Sequence, residues 1–153
     1  MNQLTASIDS PLGRLSVAEC DGAVSALHWT GPQVAPETPV LREAVAQLEA
    51  YFAGRLRDFD LPLAPAGSAF QQQVFAAMSA IPYGTTRTYG DLAKDLDGFA
   101  QAVGQACGAN PIPVIIPCHR VLAAGGLGGY SGDGGLETKI ALLKLENAFP
   151  YLL

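Results

Sequence analysis

Asn110-Pro111-Ile112-Pro113-Val114-Ile115-Ile116-Pro117-Cys118-His119-Arg120 is an apolar run bracketed by prolines that delivers a cysteine, a histidine and an arginine side by side. Proline fixes φ and lacks a backbone N–H, so Pro111 and Pro113 forbid a continued helix. The spacing predicts a short strand over 114–117, buried on both faces. Adjacent side chains of an extended chain point to opposite faces. Cys118 and His119 are therefore not expected to touch, and a bridging water is the route by which a proton would leave the thiol. The thiolate is the reactive species and a free thiol titrates near ~8.5, so a reactive Cys118 needs a relay or a positive dipole to activate it. The bland alternative is that Cys118 only fills space, as free cysteines often do.

Immediately upstream, capping chemistry appears twice. Ser68-Ala69-Phe70-Gln71 has capping-box spacing and opens a helix to about Ala80, ended by Ile81-Pro82-Tyr83-Gly84. Thr88-Tyr89-Gly90-Asp91 repeats the signature and opens a short helix that Asp97-Gly98 closes. Phe99 to Gly108 then reads as a helix of small residues. Two short helices joined by a tight turn make a helix-turn-helix candidate.

Downstream, the run 125–135 is too glycine-rich for regular structure and reads as a loop whose backbone turns sharply or approaches something closely. Leu136, Ile140 and Leu143 put one apolar stripe on a closing helix, with Glu146 falling on the same stripe one turn later. A carboxylate there is disfavoured by the helix dipole and needs a partner. Two readings stand side by side: the third member of a relay through His119, or a solvated helix end. Lys139, taken alone, reads as a surface lysine sooner than as a donor to carbonyls.

The first third of the chain has a different character. Residues 3–8 and 13–20 alternate as strands around the turn Asp9-Ser10-Pro11-Leu12-Gly13, and Asp21-Gly22 marks a second hairpin into a strand through Val24, Ala26 and His28. A Pro-rich connection follows. Val40, Leu41, Val45, Leu48, Tyr51 and Phe52 then recur at helical spacing, and Gly54 stops the run. The expected organisation is an N-terminal sheet-plus-helix lobe over 1–62, a linker over 63–67 rich in proline and glycine, and a lobe over 68–153 that carries the chemistry.

The chain has 153 residues, 49% of them hydrophobic, enough for one compact domain or two small lobes without covalent staples. Three scattered thiols, Cys20, Cys107 and Cys118, do not form a disulfide framework, which points to a reducing, cytoplasmic compartment. No window approaches a membrane span and the N-terminus lacks the pattern of a secretory signal. The net charge of −5 argues against a strong non-specific polyanion binder, with most of the excess acid in the first lobe. Zinc needs four ligands, usually in close pairs, and the two histidines and three cysteines are widely spread. No metal is expected; His28 reads as an ordinary strand histidine and Cys107 as a core residue of its helix.

Taken together, PCHR preceded by NPIPVII and followed by GGYSG and LETKIALLKLE resembles the O6-alkylguanine-DNA alkyltransferase family, the methylated-DNA–protein-cysteine methyltransferases. The likeness extends through DSPLGRL, AFQQQVFAAMSAIPYGTTRTYGDLA and AVGQACGANP, and so over essentially the whole chain. It implies an α/β fold of the α+β kind: a small antiparallel sheet lobe with a covering helix, then a helical, winged helix-turn-helix-like lobe carrying the active-site cysteine. It implies a monomer that needs no cofactor, works on double-stranded DNA containing O6-alkylguanine, and transfers a methyl or larger alkyl group irreversibly to Cys118; O4-alkylthymine is a secondary substrate on this reading. His119 matches the residue that takes the thiol proton through water and Glu146 the carboxylate that orients it. Tyr89 matches the tyrosine that protonates the leaving guanine and helps rotate the nucleotide, and Asn110 the hinge asparagine. Val121, Tyr130, Ser131 and Lys139 fall to the base pocket, and Thr88, Gln101, Ala102 and Arg120 to the DNA contacts. The base must leave the stack, because O6 in a stacked pair is out of reach of a buried thiol.

Three departures accompany the resemblance. Gln101 stands where the family usually has an arginine that fills the gap left by the flipped base. The loop GDGGL after Ser131 is about two residues longer than usual. Cys20 matches one zinc-ligand position of some members, without counterparts for the others. Gln101 and the acidic charge keep open a second reading, a lesion-binding relative without transfer activity, although such proteins typically lack the acceptor cysteine.

Overall fold

The computed structural model describes residues 3–130 and 135–148, and the chain divides into two compact units, residues 1–66 and 67–153. In the first unit, β1 (Gln3–Ser10), β2 (Gly13–Cys20) and β3 (Ala23–His28) form an antiparallel sheet in the order β1-β2-β3. Asp21 and Gly22 both take positive φ, 52° and 83°, as a two-residue hairpin loop requires. Helix α1 (Pro39–Phe52) starts with Thr38 accepting the Leu41 N–H at 3.1 Å and with proline in its first turn. It buries Leu41, Ala44, Leu48 and Tyr51 and packs on the sheet, whose buried side chains include Ala6, Ile8, Leu15, Val17, Val24 and Leu27. The apolar periodicity of sheet and helix thus finds one common core. His28 is exposed, and among the described residues no cluster of His, Cys, Asp or Glu is placed to hold a metal ion.

The second unit is mainly helical. Ser68 and Gln71 make both bonds of the capping box that opens α2 (Ala69–Ser79), and Thr88 and Asp91 do the same for α3 (Tyr89–Leu96). Asp97 ends α3 in the left-handed region, φ 58°, and α4 (Ala100–Gly108) follows, giving the helix-turn-helix. Leu92, Ala93, Val103 and Ala106 close the contact between these helices with the buried face of α2, Val74, Phe75 and Met78. Two two-residue strands, β4 (Arg87–Thr88) and β5 (Val121–Leu122), pair in parallel. Both are too short to leave a pattern in the sequence. Helix α5 (Leu136–Leu145) closes the described part of the unit, and Lys144 in its last turn favours the negative helix end.

Residues 114–117 are not a strand, which corrects the expectation. The segment coils through tight turns and ends in a 3₁₀ helix over Cys118–Arg120. Three prolines leave too few donors for a ladder, and the remaining groups bond locally. Ile115 N–H donates to the Pro113 carbonyl, Ile116 N–H to Ile112 and Cys118 N–H to Ile116, all within 2.8–2.9 Å. Val114 takes φ 72°, uncommon for a β-branched residue, so the surrounding packing must hold it there. The stripe expected on α5 also differs. Leu136 is exposed and the buried face runs through Thr138, Lys139, Leu142, Leu143 and Glu146. No described helix is long and apolar enough to cross a membrane.

Candidate active site

Cys118 opens the 3₁₀ helix and is only 6% exposed, at the wall of a cavity of about 400 Å³. Tyr89, Gly104, Cys107, Gly108, Gly129 and Tyr130 make the rest of that wall. Burial pushes the Cys118 thiol up; hydrogen bonding with the Asn110 and Tyr130 side chains and the charge of Lys139 act against it. Asn110 also fixes the backbone below the thiol. Its Nδ2 donates to the Ile116 carbonyl at 2.9 Å and its Oδ1 accepts from Ile112 N–H at 3.0 Å, so one side chain spans the turn that carries the cysteine.

Behind the thiol lies a fully buried ionic cluster. His119 Nε2 is 2.7 Å from Glu146 Oε2, and Arg120 donates from Nε to Oε1 at 2.8 Å and from Nη2 to Oε2 at 2.9 Å. A third Arg120 donor, Nη1, reaches the Ile81 carbonyl at 2.7 Å. Burial opposes ionisation of Glu146, but the bonds from His119 and Arg120 outweigh it and hold the carboxyl at about 2. An ionised carboxylate can only accept, so Nε2 of His119 carries the proton in this pair. Burial pushes the imidazole below its ordinary value, with Arg120 adding to the effect against the pull of Glu146, so the ring is neutral at pH 7. The lone pair then sits on Nδ1, which is buried and has no protein partner among the described residues. A neutral imidazole with a fixed tautomer and a vacant basic nitrogen can accept a proton.

Three expectations are corrected by this geometry. Arg120, read as a DNA contact, is 5% exposed and its guanidinium is committed to Glu146 and Ile81. Lys139, read sooner as a surface lysine, is fully buried and donates to the carbonyls of Val121, Leu127 and Gly129 at 2.7, 2.6 and 3.0 Å. Burial brings its ammonium down to about 8. The reading of Cys118 and His119 as opposed side chains on an extended strand also fails in its premise. They lie on a 3₁₀ turn, where successive side chains diverge by about 120°. The outcome is similar, because the thiol reaches the cavity wall while the ring turns to Glu146.

Tyr89, the first residue of α3, faces the cavity, and burial raises its phenol above the ordinary value. Tyr130 is shifted the same way by burial. Val121 is fully buried and contributes its carbonyl to Lys139; it is not part of the cavity wall. Thr88 caps α3, Gln101 is exposed on α4 and Ala102 is half-buried beside it, all three outside the cavity. Ser131 lies outside the described residues, as do residues 132–134 of the long loop.

Three residues of the site escape a reading from sequence. Gly104, Cys107 and Gly108 bring one small-residue face of α4 to the cavity, at the i, i+3, i+4 spacing that was the available signal. Cys107 also keeps its core role, its Sγ 3.5 Å from Met78 Sδ, and burial pushes its thiol up to about 12. Gly128 has φ 72°, and a Cβ there would lie 3.0 Å from the Tyr89 ring and 3.1 Å from the Ala123 nitrogen. The glycine-rich loop thus approaches the tyrosine closely, as its composition suggests.

Comparison with known proteins places these features in company. Residues 69–148 match the model of the 6-O-methylguanine DNA methyltransferase DNA binding domain, and residues 4–65 match that of the ribonuclease-like domain of the same enzymes. The chain is 44% identical over 157 residues to the methylated-DNA–protein-cysteine methyltransferase of Mycobacterium tuberculosis, covering 93% of this chain and 91% of that one. It is 43% identical over 154 residues to the enzyme so named from Methanosarcina acetivorans, covering 94% and 97%. Among solved structures, the M. tuberculosis O6-methylguanine methyltransferase superposes with a TM-score of 0.85 at 41% identity, over 96% of this chain and 94% of that one. The M. tuberculosis OGT in complex with DNA gives 0.82 at 44% identity, over 95% and 93%.

Proposed function

The chain belongs to the 6-O-methylguanine DNA methyltransferase family, and from this we propose that it repairs DNA by direct reversal, moving the methyl group of O6-methylguanine to Cys118. One observation carries the assignment of the acceptor: a buried thiol at the wall of a 400 Å³ cavity, with a neutral, tautomer-fixed histidine and its carboxylate next in the chain and behind it. The Cys118 proton passes through a water to Nδ1 of His119, and the imidazolium that forms is stabilised by Glu146. The sulfur attacks the methyl carbon, the S–C bond forms as the C–O6 bond breaks, and the bond pair leaves with the guanine. Tyr89, whose phenol burial raises, supplies a proton to that guanine, and the proton held by the imidazolium returns through solvent to the Tyr89 oxygen, so the products are the thioether and neutral guanine with both side chains restored. The thioether is stable, so each molecule acts once and no cofactor enters the balance.

Arg120 and Asn110 act as positioning residues in this scheme. Arg120 neutralises the carboxylate in the ground state, which keeps His119 an imidazole able to accept a proton, where an unopposed Glu146 would favour its protonated form. Gln101 and Ala102 on α4 and the capped start of α3 at Thr88 face the DNA on this reading. The presence of Cys118 favours transfer over lesion binding alone. We place the activity in the cytoplasm, where the three free cysteines stay reduced and DNA is at hand.

The test is an intact-mass measurement after incubation with a duplex containing one O6-methylguanine, followed by peptide mapping. The expected result is one methyl per molecule, on Cys118 and not on Cys107, and none on Cys118→Ser. Retained lesion binding without a mass gain would establish the non-catalytic reading instead.

A further inference from the structure

Phe99 is 81% exposed, far more than Leu136 at 46% or Leu4 at 42%, the other large apolar side chains at the surface of the described residues. It occupies the N-cap of α4, a position that favours a side chain able to accept from the first-turn amides. Thr38, Ser68 and Thr88 do this for α1, α2 and α3, whereas Phe99 makes no cap bond. The residue therefore breaks two local rules at once, one of solvation and one of capping, at the tip of the second helix of the helix-turn-helix. Local rules are broken where function requires it.

The same helix brings Gly104, Cys107 and Gly108 to the cavity of Cys118. At 1.5 Å rise per residue, Phe99 lies about 7.5 Å along the axis from Gly104, or roughly two base-pair steps. A guanine that enters the cavity must first leave its stack, and with DNA as the partner the duplex it leaves runs past α4, whose second half lines the cavity and whose N-cap is Phe99. Helix α4 offers no Lys or Arg there; its exposed polar side chains are Gln101 and Gln105. Something other than charge must favour the opened duplex, and a flat ring standing in solvent meets that need. Aromatic side chains stack on any base and wedge between base steps.

We propose that Phe99 is a stacking wedge that packs into the base stack beside the lesion and holds the duplex open while the guanine is in the cavity. This rests on the reading of DNA as the partner of the C-terminal unit. It assigns the ring the work that a cationic helix would do by another means, and leaves Gln101 to the hydrogen-bonding edge of the orphaned base.

The experiment measures single-turnover methyl transfer by the full chain at saturating DNA, so that affinity drops out, from a duplex and from the same strand without its complement. Phe99→Ala is expected to slow transfer from the duplex about tenfold, in line with the range for loss of one base–aromatic stack, while the single-stranded rate stays within about twofold. Phe99→Trp restores the duplex rate. A duplex rate for Phe99→Ala equal to that of the unmodified chain overturns the proposal, and so does an equal loss on both substrates, which marks a merely structural residue. An unmodified chain that takes methyl from neither substrate overturns the methyltransferase reading itself, and the wedge with it.

Discussion

Glu146 accepts from three donors on two neighbouring residues, and the consequence is a relay whose charge is already balanced before any reaction begins. Removing two such partners from water is costly, and only full hydrogen bonding makes the burial tolerable. The arrangement also sets a pH dependence of stability. Both His119 and Glu146 titrate lower in the folded chain than their ordinary values of 6.5 and 4.5, so the unfolded chain binds their protons first on acidification. Their contribution is complete above about pH 6.5. It falls first as His119 is protonated in the unfolded state, then between pH 4.5 and about 2 through Glu146, whose share is roughly 3 kcal/mol. Urea midpoints should therefore decrease from pH 7 to pH 5, and His119→Gln should flatten that decrease whatever it does to the midpoint at pH 7. An unchanged slope would contradict a buried neutral imidazole.

At the scale of elements, α5 acts as a clasp. Its Lys139 holds three carbonyls from the segment 121–129, which has only the two-residue β5 for regular structure and places Gly129 and Tyr130 on the cavity. Loss of the ammonium leaves buried acceptors without a donor, each worth about 1–3 kcal/mol. Lys139→Ala is expected to destabilise the unit by about 3 kcal/mol. In hydrogen exchange it should release the amides of 126–130, while those of α2 and the α3–α4 pair keep their order of protection. Equal loss of protection everywhere would mean that Lys139 supports the whole core and not this loop. The lowered ammonium value, about 8, fits a group that burial penalises and carbonyls retain.

For the whole molecule, the electrostatics of DNA binding follow from where the cations sit. Of the five Lys and Arg in residues 68–153, Arg120 and Lys139 are interior, leaving Arg87, Lys94 and Lys144 at the surface, with Arg87 paired to Asp95. The N-terminal unit adds four arginines against eight acids. With about three phosphates neutralised by the C-terminal unit, log K should fall with log salt at a slope near −2.7, so affinity drops only about 40-fold between 50 and 200 mM. Fluorescence anisotropy against salt measures this directly, and a slope of roughly twice that value would show a cationic surface that these positions do not provide.

Much of this molecule is legible in the chain itself. Caps and turns are local devices, so Ser68, Thr88, Asp21-Gly22 and Asp97-Gly98 mark element ends within a few residues of sequence, while the cap of α1 at Thr38 lies unread inside a Pro-rich connection. The identities Cys118, His119 and Glu146 and their surrounding motifs point to the family and its chemistry. Three features depended on tertiary structure. Whether 114–117 extends or coils turns on the absence of a neighbouring strand among the described residues and on Asn110, which spans the turn. Whether Arg120 and Lys139 face water or the interior turns on acceptors 10 to 39 residues away in the chain. Periodicity marks where apolar side chains gather, but a buried charge is stable only where distant segments supply its partners, and that supply exists only once the chain has folded.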